Sequence, residues 1–329
     1  MPSPLSLLGA ALIGLAVVVA LAIAALAVLT ARLTERVEAD VPPIGAFVEI
    51  DGHRLHHRAS GPEGAPAIVL LHGASAHLGD FETTLRPALE DRFRVIAFDR
   101  PGSGWSEPVD GAAGEPGRQA ALVAAALERL GVERAVWVGH SWGGAVALAA
   151  AVERPDAVAG AALLAAPTAP WDGPPLPWPL RLGAVPGLRF AFSRTLVTPI
   201  GRRSLADLLR DSFRPETAPE PIERYERATG AALGITPERF VATARDMVGL
   251  SPALARLAPR LAEIEPPLLL VYGERDPAMP PARHARPLAE AAREAELIVL
   301  PGAGHLVHHT RTAEVARAIA RFAGAVTSP

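Results

Sequence analysis

The sequence predicts an α/β protein with a mostly parallel sheet, helices on both faces of that sheet, and one preceding transmembrane helix. Three observations lead to this prediction. A long uncharged stretch lies near the N-terminus, short apolar runs then alternate with helical patterns, and residues 167–266 carry no strand signal. Alternation of strands and helices is typical of parallel sheets, because each connecting helix covers a face of the sheet.

The N-terminal segment has no charged side chain from residue 5 to residue 29, and the mean hydropathy of the whole chain is +0.22. A helix of about 25 residues rises roughly 37 Å, which is enough to cross a hydrocarbon core of about 30 Å. We therefore predict that residues 1–40 form a transmembrane anchor and linker, with the lipid bilayer as the partner of residues 5–29. Val41-Pro42-Pro43 is expected to end the helix.

A cleaved signal peptide is the main alternative for this segment, since Ala25-Leu26-Ala27 resembles a cleavage site. The uncharged stretch is longer than the roughly 7 to 15 residues of a signal peptide, and no basic side chain precedes it. Arg32 and Arg36 follow the stretch. By the positive-inside rule they favour a single-pass protein of a bacterial-type inner membrane with its larger part in the cytoplasm. Neighbouring acidic residues leave this orientation open.

Composition excludes several kinds of function. The formal net charge is −3 and no basic run is present, which argues against a nucleic-acid partner. The chain has no cysteine, so thiolate nucleophiles and cysteine-ligated metals are impossible. No metal or organic cofactor is predicted.

The elements can be placed in chain order. Residues 46–50 and 54–59 read as a hairpin around Asp51-Gly52, a dipeptide that favours tight turns. Six buried strands follow, at residues 68–71, 95–98, 135–138, 161–165, 268–272 and 297–300. Helices are expected at residues 81–89, 119–130, 142–152, 282–292 and 312–322.

The strandless stretch opens with a proline-rich run and then turns helical at residues 203–213, 221–232 and 237–250. A stretch of this length inside a compact domain indicates an inserted helical subdomain. We predict a division into the anchor at residues 1–40, a first core part at 41–166, a helical cap at 167–266 and a second core part at 267–329.

The sharpest chemical signal is the motif Gly139-His140-Ser141-Trp142-Gly143. It lies between a predicted strand and a predicted helix, where a sharp turn exposes the serine hydroxyl as a nucleophile. The helix N-terminus adds free N–H groups and positive potential. A serine N-cap beside a glycine-rich turn is the alternative interpretation.

A serine hydroxyl needs a nearby imidazole to accept its proton. His305 is the candidate base, because it follows the last predicted strand in a loop of glycine and proline. His308 and His309 are the alternatives. Asp276 follows the preceding strand and is the candidate acid that orients the imidazole.

From about residue 46 to residue 322 the chain resembles the α/β-hydrolase family, on the Gly-x-Ser-x-Gly motif, the Gly-x-Gly-His ending at His305 and the Gly-x-x-Asp-Pro turn at Asp276. The resemblance implies an α/β-hydrolase fold with an eight-stranded sheet, a cap inserted after the sixth strand, and a catalytic triad in the order Ser, acid, His. It also implies an oxyanion hole from the backbone N–H groups of Ala74, which follows His-Gly after the third strand, and Trp142. Some relatives carry the acid after the sixth strand, which makes Asp246 the competing acid.

The resemblance implies a serine hydrolase that cleaves a carboxylic ester or related acyl bond through an acyl-enzyme on Ser141. Relatives that open epoxides or displace halide use Asp at this position. Acyl transfer, carbon–carbon bond hydrolysis, aminopeptidase activity and a non-catalytic binding module are the alternatives. The expected partner is a small apolar acyl substrate. Aromatic residues of the cap are candidates for the pocket lining: Trp171, Trp178, Phe190, Phe192, Phe213 and Tyr225.

Overall fold

The computed structural model describes residues 3–171 and 175–328 and is built around one eight-stranded sheet. Its strands are β1 (Ala46–Ile50), β2 (His53–Ser60), β3 (Ala67–Leu71), β4 (Arg94–Phe98), β5 (Ala135–His140), β6 (Val158–Leu164), β7 (Leu268–Gly273) and β8 (Ala295–Leu300). Their spatial order is β1-β2-β4-β3-β5-β6-β7-β8. The β1–β2 and β2–β4 pairs are antiparallel and the other neighbours are parallel. The predicted α/β-hydrolase fold with a hairpin at one edge is confirmed.

The α-helices alternate with these strands. They are α1 (Pro4–Asp40), α2 (Leu85–Leu89), α3 (Pro116–Arg129), α4 (Trp142–Glu153), α5 (Trp178–Ala184), α6 (Leu188–Phe192), α7 (Thr198–Ser212), α8 (Ile222–Thr229), α9 (Pro237–Leu257), α10 (Pro281–His284), α11 (Arg286–Ala291), α12 (Val307–Thr310) and α13 (Thr312–Thr327). Short 3-10 segments lie at Leu78–Phe81, Pro155–Ala157, Ala231–Ile235 and Ala258–Glu263, and a π-helical turn lies at Ser193–Val197.

Two predicted helices are divided in the structure. The helix expected at residues 81–89 is a 3-10 segment followed by α2, and the one expected at residues 282–292 is α10 followed by α11. Pro287 explains the second break, because its ring has no N–H and collides with the carbonyl four residues earlier in a continuous helix.

Both faces of the sheet are covered, and alternate residues of β3 show how. Val69 and Leu71 point to a core shared with α3 and α4, whereas Ile68 and Leu70 point to a second core shared with α2 and α13. All four side chains have no measurable exposure. A strand buried on both faces has to be apolar throughout, which is why these runs were recognisable in the sequence.

The N-terminal helix α1 runs for 37 residues to Asp40 without a break, and it ends at Val41-Pro42-Pro43 as expected. The apolar part is exposed, and the helix is long and apolar enough to cross a membrane by length and composition. The last turns pack on the inserted helices: Val37 is buried against Leu205 and Leu233, and the Thr30 hydroxyl donates to the carbonyl of Thr195 at 3.0 Å. The last turns of α1 are therefore packed against the inserted helices.

The insertion between β6 and β7 is helical, and no strand occurs in its described residues, 165–171 and 175–267. The predicted helices correspond to α7, α8 and α9. The proline-rich opening also holds α5 and α6, which the sequence patterns did not reveal. Prolines in the first turns of α5, α7 and α9 are tolerated, because the N–H they lack has no partner inside a helix there.

Candidate active site

Ser141 occupies the turn between β5 and α4, with φ 50° and ψ −120°. This conformation is rare for a residue with a side chain and is maintained by the packing around it. Gly143 has to be glycine, because a Cβ there would lie 2.1 Å from the carbonyl oxygen of Leu71. A Cβ at Gly139 would lie 2.2 Å from the carbonyl oxygen of Gly143. The two glycines of the motif thus allow the serine turn to sit against β3.

The loop after β3 lies against this turn. A Cβ built on Gly73 would be 3.3 Å from the Cβ of Ser141, and Ala74 lines the same cavity as Ser141. Trp142 follows Ser141 at the N-terminus of α4, where backbone N–H groups have no intrahelical acceptor. The structure therefore brings both predicted oxyanion donors, Ala74 and Trp142, to the neighbourhood of the serine.

Arg100, a fully buried residue after β4, braces this loop. Its guanidinium donates to the carbonyls of His72 at 2.9 Å and Gly73 at 3.1 Å. It also lies over the indole of Trp142, 4.4 Å from the ring centroid. No sequence pattern pointed to Arg100, because its partners lie far from it in the chain.

Asp246, the competing acid, is the counter-ion of Arg100. One carboxylate oxygen accepts from Arg100 Nη1 at 2.6 Å, and the other accepts from the Gly114 N–H at 2.9 Å and the Gln119 amide at 3.2 Å. Burial raises the pKa of Asp246, and the charge of Arg100 opposes that effect. The carboxylate is thus placed to hold Arg100.

His305 and Asp276 meet on the loops after β8 and β7. His305 Nδ1 lies 2.7 Å from Asp276 Oδ2, and Asp276 Oδ1 accepts from the backbone N–H groups of Ala278 at 2.8 Å and Met279 at 2.9 Å. Burial would raise the pKa of Asp276, but the hydrogen bond and charge of His305 and these two N–H donors bring it below its usual value. Asp276 is thus held as a carboxylate beside the imidazole.

Backbone hydrogen bonds join these two loops to each other. The N–H of Glu274 donates to the carbonyl of Leu300 at 2.9 Å, and the N–H of Arg275 donates to the carbonyl of Ala303 at 2.9 Å. They continue the parallel pairing of β7 with β8, which ends at Gly273 and Leu300. The two side chains are adjacent because their loops extend one sheet edge.

Ser141 and His305 both line a cavity of about 340 Å³. Leu209, Met247 and Tyr225 from the inserted helices form much of its apolar wall. The residues that line this cavity are Gly73, Ala74, Ser75, Ala76, His77, Asp80, His140, Ser141, Trp171, Leu209, Ser212, Tyr225, Thr229, Ala231, Met247, Ala278, Met279, His305 and Leu306.

The prediction of six aromatic lining residues was wrong for four of them. Trp171 and Tyr225 line the cavity, whereas Trp178 and Phe190 are more than half exposed at the cap surface. The other two pack inside the cap: Phe192 lies between Trp178 and Phe240, and Phe213 lies edge-on to Tyr225. The sequence of the cap helices does not show by itself which face of each helix lines the cavity.

The alternative bases His308 and His309 lie in α12 and contact a different carboxylate. Their Nε2 atoms lie 3.0 and 2.8 Å from the two oxygens of Asp80. The three side chains also form the group among the described residues whose nitrogen and oxygen atoms, within 4.8 Å of one another, could hold a metal ion. No sequence motif pointed to Asp80.

Residues 66–312 match the profile described as alpha/beta hydrolase fold. The chain belongs to this family. It is 30% identical over 271 residues to the dihydrolipoyllysine-residue acetyltransferase component of the acetoin cleaving system of Cupriavidus necator, covering 82% of this chain and 66% of that protein, just under two thirds of its length. It is 29% identical over 280 residues to haloalkane dehalogenase 2 of Mycobacterium tuberculosis, covering 81% of this chain and 90% of the relative.

A solved structure resembles the chain over its whole length. The crystal structure of a bacterial membrane phospholipase A superposes with a TM-score of 0.64 at 25% identity, covering 99% of this chain and 100% of that one. The enol-lactonase of Burkholderia xenovorans LB400 superposes with a TM-score of 0.65 at 23% identity over 84% of this chain and 99% of that one. The second likeness ends short of the full chain, so it concerns the hydrolase fold.

Proposed function

We propose that this α/β-hydrolase is a serine hydrolase that cleaves carboxylic esters through an acyl-enzyme on Ser141. The observation that carries the proposal is the 2.7 Å contact between His305 and Asp276 at the edge of the cavity that Ser141 lines. An imidazole oriented by a buried carboxylate, at a cavity that also holds a half-buried serine, is the arrangement that acyl transfer requires.

The reaction follows from the roles of these groups. Ser141 Oγ attacks the acyl carbon while His305 Nε2 accepts its proton, and Asp276 stabilises the imidazolium and holds its tautomer. The N–H groups of Ala74 and Trp142 bind the oxyanion, each contributing about 3 to 4 kcal/mol. His305 then returns the proton to the leaving alcohol. Water, deprotonated by the same imidazole, releases the acid and restores the serine.

The activity of the dehalogenase relative does not transfer to this chain, and neither does the opening of epoxides by other family members. Those members of the family use an aspartate nucleophile, and this chain has Ser141 at that position. A serine alkoxide attacks an acyl carbon and forms an acyl ester, which water then hydrolyses. This reaction does not need the neighbouring groups that release an alkylated aspartate in those relatives.

We further infer that residues 5–29 anchor the enzyme in a membrane and that its substrates are acyl esters of membrane lipids. The π-helical turn at Ser193–Val197 contacts α1 through Thr30, one residue beyond the apolar stretch. With residues 5–29 in a bilayer, this contact would hold the cap close to the membrane surface. Leu188 and Phe190, just before this turn, are 56% and 65% exposed, which is typical of side chains that meet an apolar phase. The full-length likeness to a membrane phospholipase supports the same substrate class.

Covalent labelling tests the nucleophile. The full-length protein in detergent micelles is incubated with a fluorophosphonate, and the adduct is located by peptide mass spectrometry. We expect labelling at Ser141, its loss in Ser141→Ala, and a fall in kcat of about 10⁴ to 10⁶ in that variant. Ser212→Ala is the matched control: Ser212 lines the same cavity but donates its hydroxyl to the carbonyl of Leu208, so its removal should leave labelling intact. Equal labelling of Ser141→Ala would refute the proposal.

Vesicles test the substrate class. We compare release of fatty acid from phosphatidylcholine vesicles with hydrolysis of p-nitrophenyl butyrate, for the full chain and for a chain that begins at residue 30. Loss of the vesicle activity alone on truncation is the expected result. If the truncated chain retained both activities equally, the anchor would not determine the substrate class.

A further inference from the structure

A buried cluster of three histidines and one aspartate adjoins the proposed catalytic groups. Asp80 comes from the 3-10 segment after β3, His140 ends β5, and His308 and His309 belong to α12. The four residues are between 0% and 6% exposed. The serine mechanism above uses none of them.

Asp80 joins two segments of the site that are far apart in the chain. Its Oδ2 lies 3.0 Å from His308 Nε2, and its Oδ1 lies 2.8 Å from His309 Nε2. A carboxylate only accepts hydrogen bonds, so each imidazole donates through Nε2. Asp80 lies on the segment that begins with Ala74, and the two histidines follow His305 directly. One side chain therefore ties the oxyanion loop to the loop of the base.

His140 makes the second connection. Its Nε2 donates to the backbone carbonyl of His305 at 3.1 Å, and its ring lies 4.3 Å from that of His308 and 4.9 Å from that of His305, between ring centroids. His140 is also the residue before Ser141. The nucleophile is thus tied through its neighbour to the main chain of the base.

The cluster is not arranged for stability alone. The Nδ1 atoms of His140 and His308 are buried with no hydrogen-bond partner among the described residues. Burial lowers the pKa of both rings, with neighbouring imidazoles acting in the same direction, so each carries one N–H and leaves one nitrogen unpaired. Unpaired buried polar atoms are rare in folded proteins and often mark functional constraints.

We propose that Asp80, His140 and His308 are positioning residues that fix the base, the nucleophile and the oxyanion donors relative to one another. This inference rests on the proposed serine mechanism. Each reacting group lies on a separate loop, and a displacement of about 1 Å costs roughly 10²-fold in rate. The cluster connects the three loops to one another. Asp80 and His140 line the same cavity as Ser141, but the serine mechanism assigns them no bond-making step.

Paired substitutions test the proposal. A glutamine amide can occupy the place of a histidine Nε2–H and donate to the same acceptor, whereas leucine has similar bulk and no donor. We measure kcat and KM of the full-length protein in micelles with p-nitrophenyl butyrate, and Tm, for His140→Gln, His140→Leu, His308→Gln and His308→Leu. The leucine variants should lose about 10²-fold in kcat with KM within about three-fold of the parent. The glutamine variants should recover most of the kcat.

Two results would overturn the proposal. Leucine variants with parental kcat would show that the contacts position nothing, and glutamine variants no better than leucine at equal Tm would show that bulk alone matters. If the leucine variants fail to fold, Asp80→Asn is the deciding variant. It removes the carboxylate charge and should lower kcat without raising KM. Parental kcat in Asp80→Asn would likewise overturn it.

Two controls separate the other interpretations. Ser141→Ala has to be inactive in the same assay. If it is active, the serine mechanism fails and not the positioning role. Metal content of the purified protein is measured by mass spectrometry, because Asp80, His308 and His309 have metal-ligand chemistry. One bound zinc per chain that is lost in His308→Leu would overturn the proposal, since the Nε2 atoms would then be ligands and not donors.

Discussion

Replacement of Asp276 by asparagine should inactivate the enzyme through the tautomer of His305. Asp276 Oδ1 faces two backbone N–H groups, those of Ala278 and Met279. The amide oxygen of an asparagine has to take that position, so its NH₂ group has to face His305 Nδ1. An NH₂ group only donates, which forces the proton of the imidazole onto Nε2. The ring then presents a donor to Ser141 where a base is needed.

The magnitude follows from this geometry. A base locked in the wrong tautomer lowers turnover by about 10⁴, which corresponds to about 5.5 kcal/mol of barrier. Thermal stability should change little, because both backbone N–H groups retain an acceptor. The assay measures kcat with p-nitrophenyl butyrate and Tm on the same preparation.

Asp246→Asn is the matched control, since it makes the same chemical change in the competing acid. It removes the charge that pairs with Arg100, and both side chains are at most 1% exposed. Breaking a buried pair costs about 3 to 5 kcal/mol, which should lower Tm by roughly 10 °C. Its kcat at a temperature where the protein is folded should stay within about ten-fold of the parent. This reasoning would be refuted if kcat of Asp276→Asn fell less than ten-fold, or if kcat fell more in Asp246→Asn than in Asp276→Asn.

Three further predictions follow from the structure. His305→Ala should remove most of the turnover across the pH range, and near-normal turnover would assign the base to a neighbouring histidine of α12. Deletion of residues 1–29 should give a soluble protein with parental Tm, whereas deletion of residues 1–40 should lower Tm because the buried Val37 is lost. Equal Tm values for the two deletions would contradict the packing of α1. The full chain should resist carbonate extraction from membranes. Burial, aided by the charge of Arg100, lowers the pKa of His72 to about 3, so the unfolded chain takes up a proton at about pH 6.5 that the folded chain refuses. Stability should be full above that pH and fall by up to about 1.4 kcal/mol per unit below it, and a His72→Gln variant with an unchanged slope of Tm against pH would contradict the assignment.

The sequence by itself determined the sheet, the Ser141 turn and the two loops that carry Asp276 and His305. These features depend on local patterns. A strand buried on both faces is apolar along its length, and a turn that presses against a neighbouring strand admits only glycine at Gly139 and Gly143. Predicted strand positions therefore matched the structure to within a few residues. The helices differed more, since their ends and divisions moved and α5 and α6 were not predicted.

The tertiary structure alone decided which polar side chains support the site. Asp80 meets His308 across 228 residues of chain, and Arg100 meets Asp246 across 146. No local pattern marks such pairs, because the neighbours of a charged residue in the sequence do not show whether it is buried and paired or solvated. The packing of α1 on the cap and the inward faces of the cap helices were hidden for the same reason, since burial of one helix face depends on what folds against it.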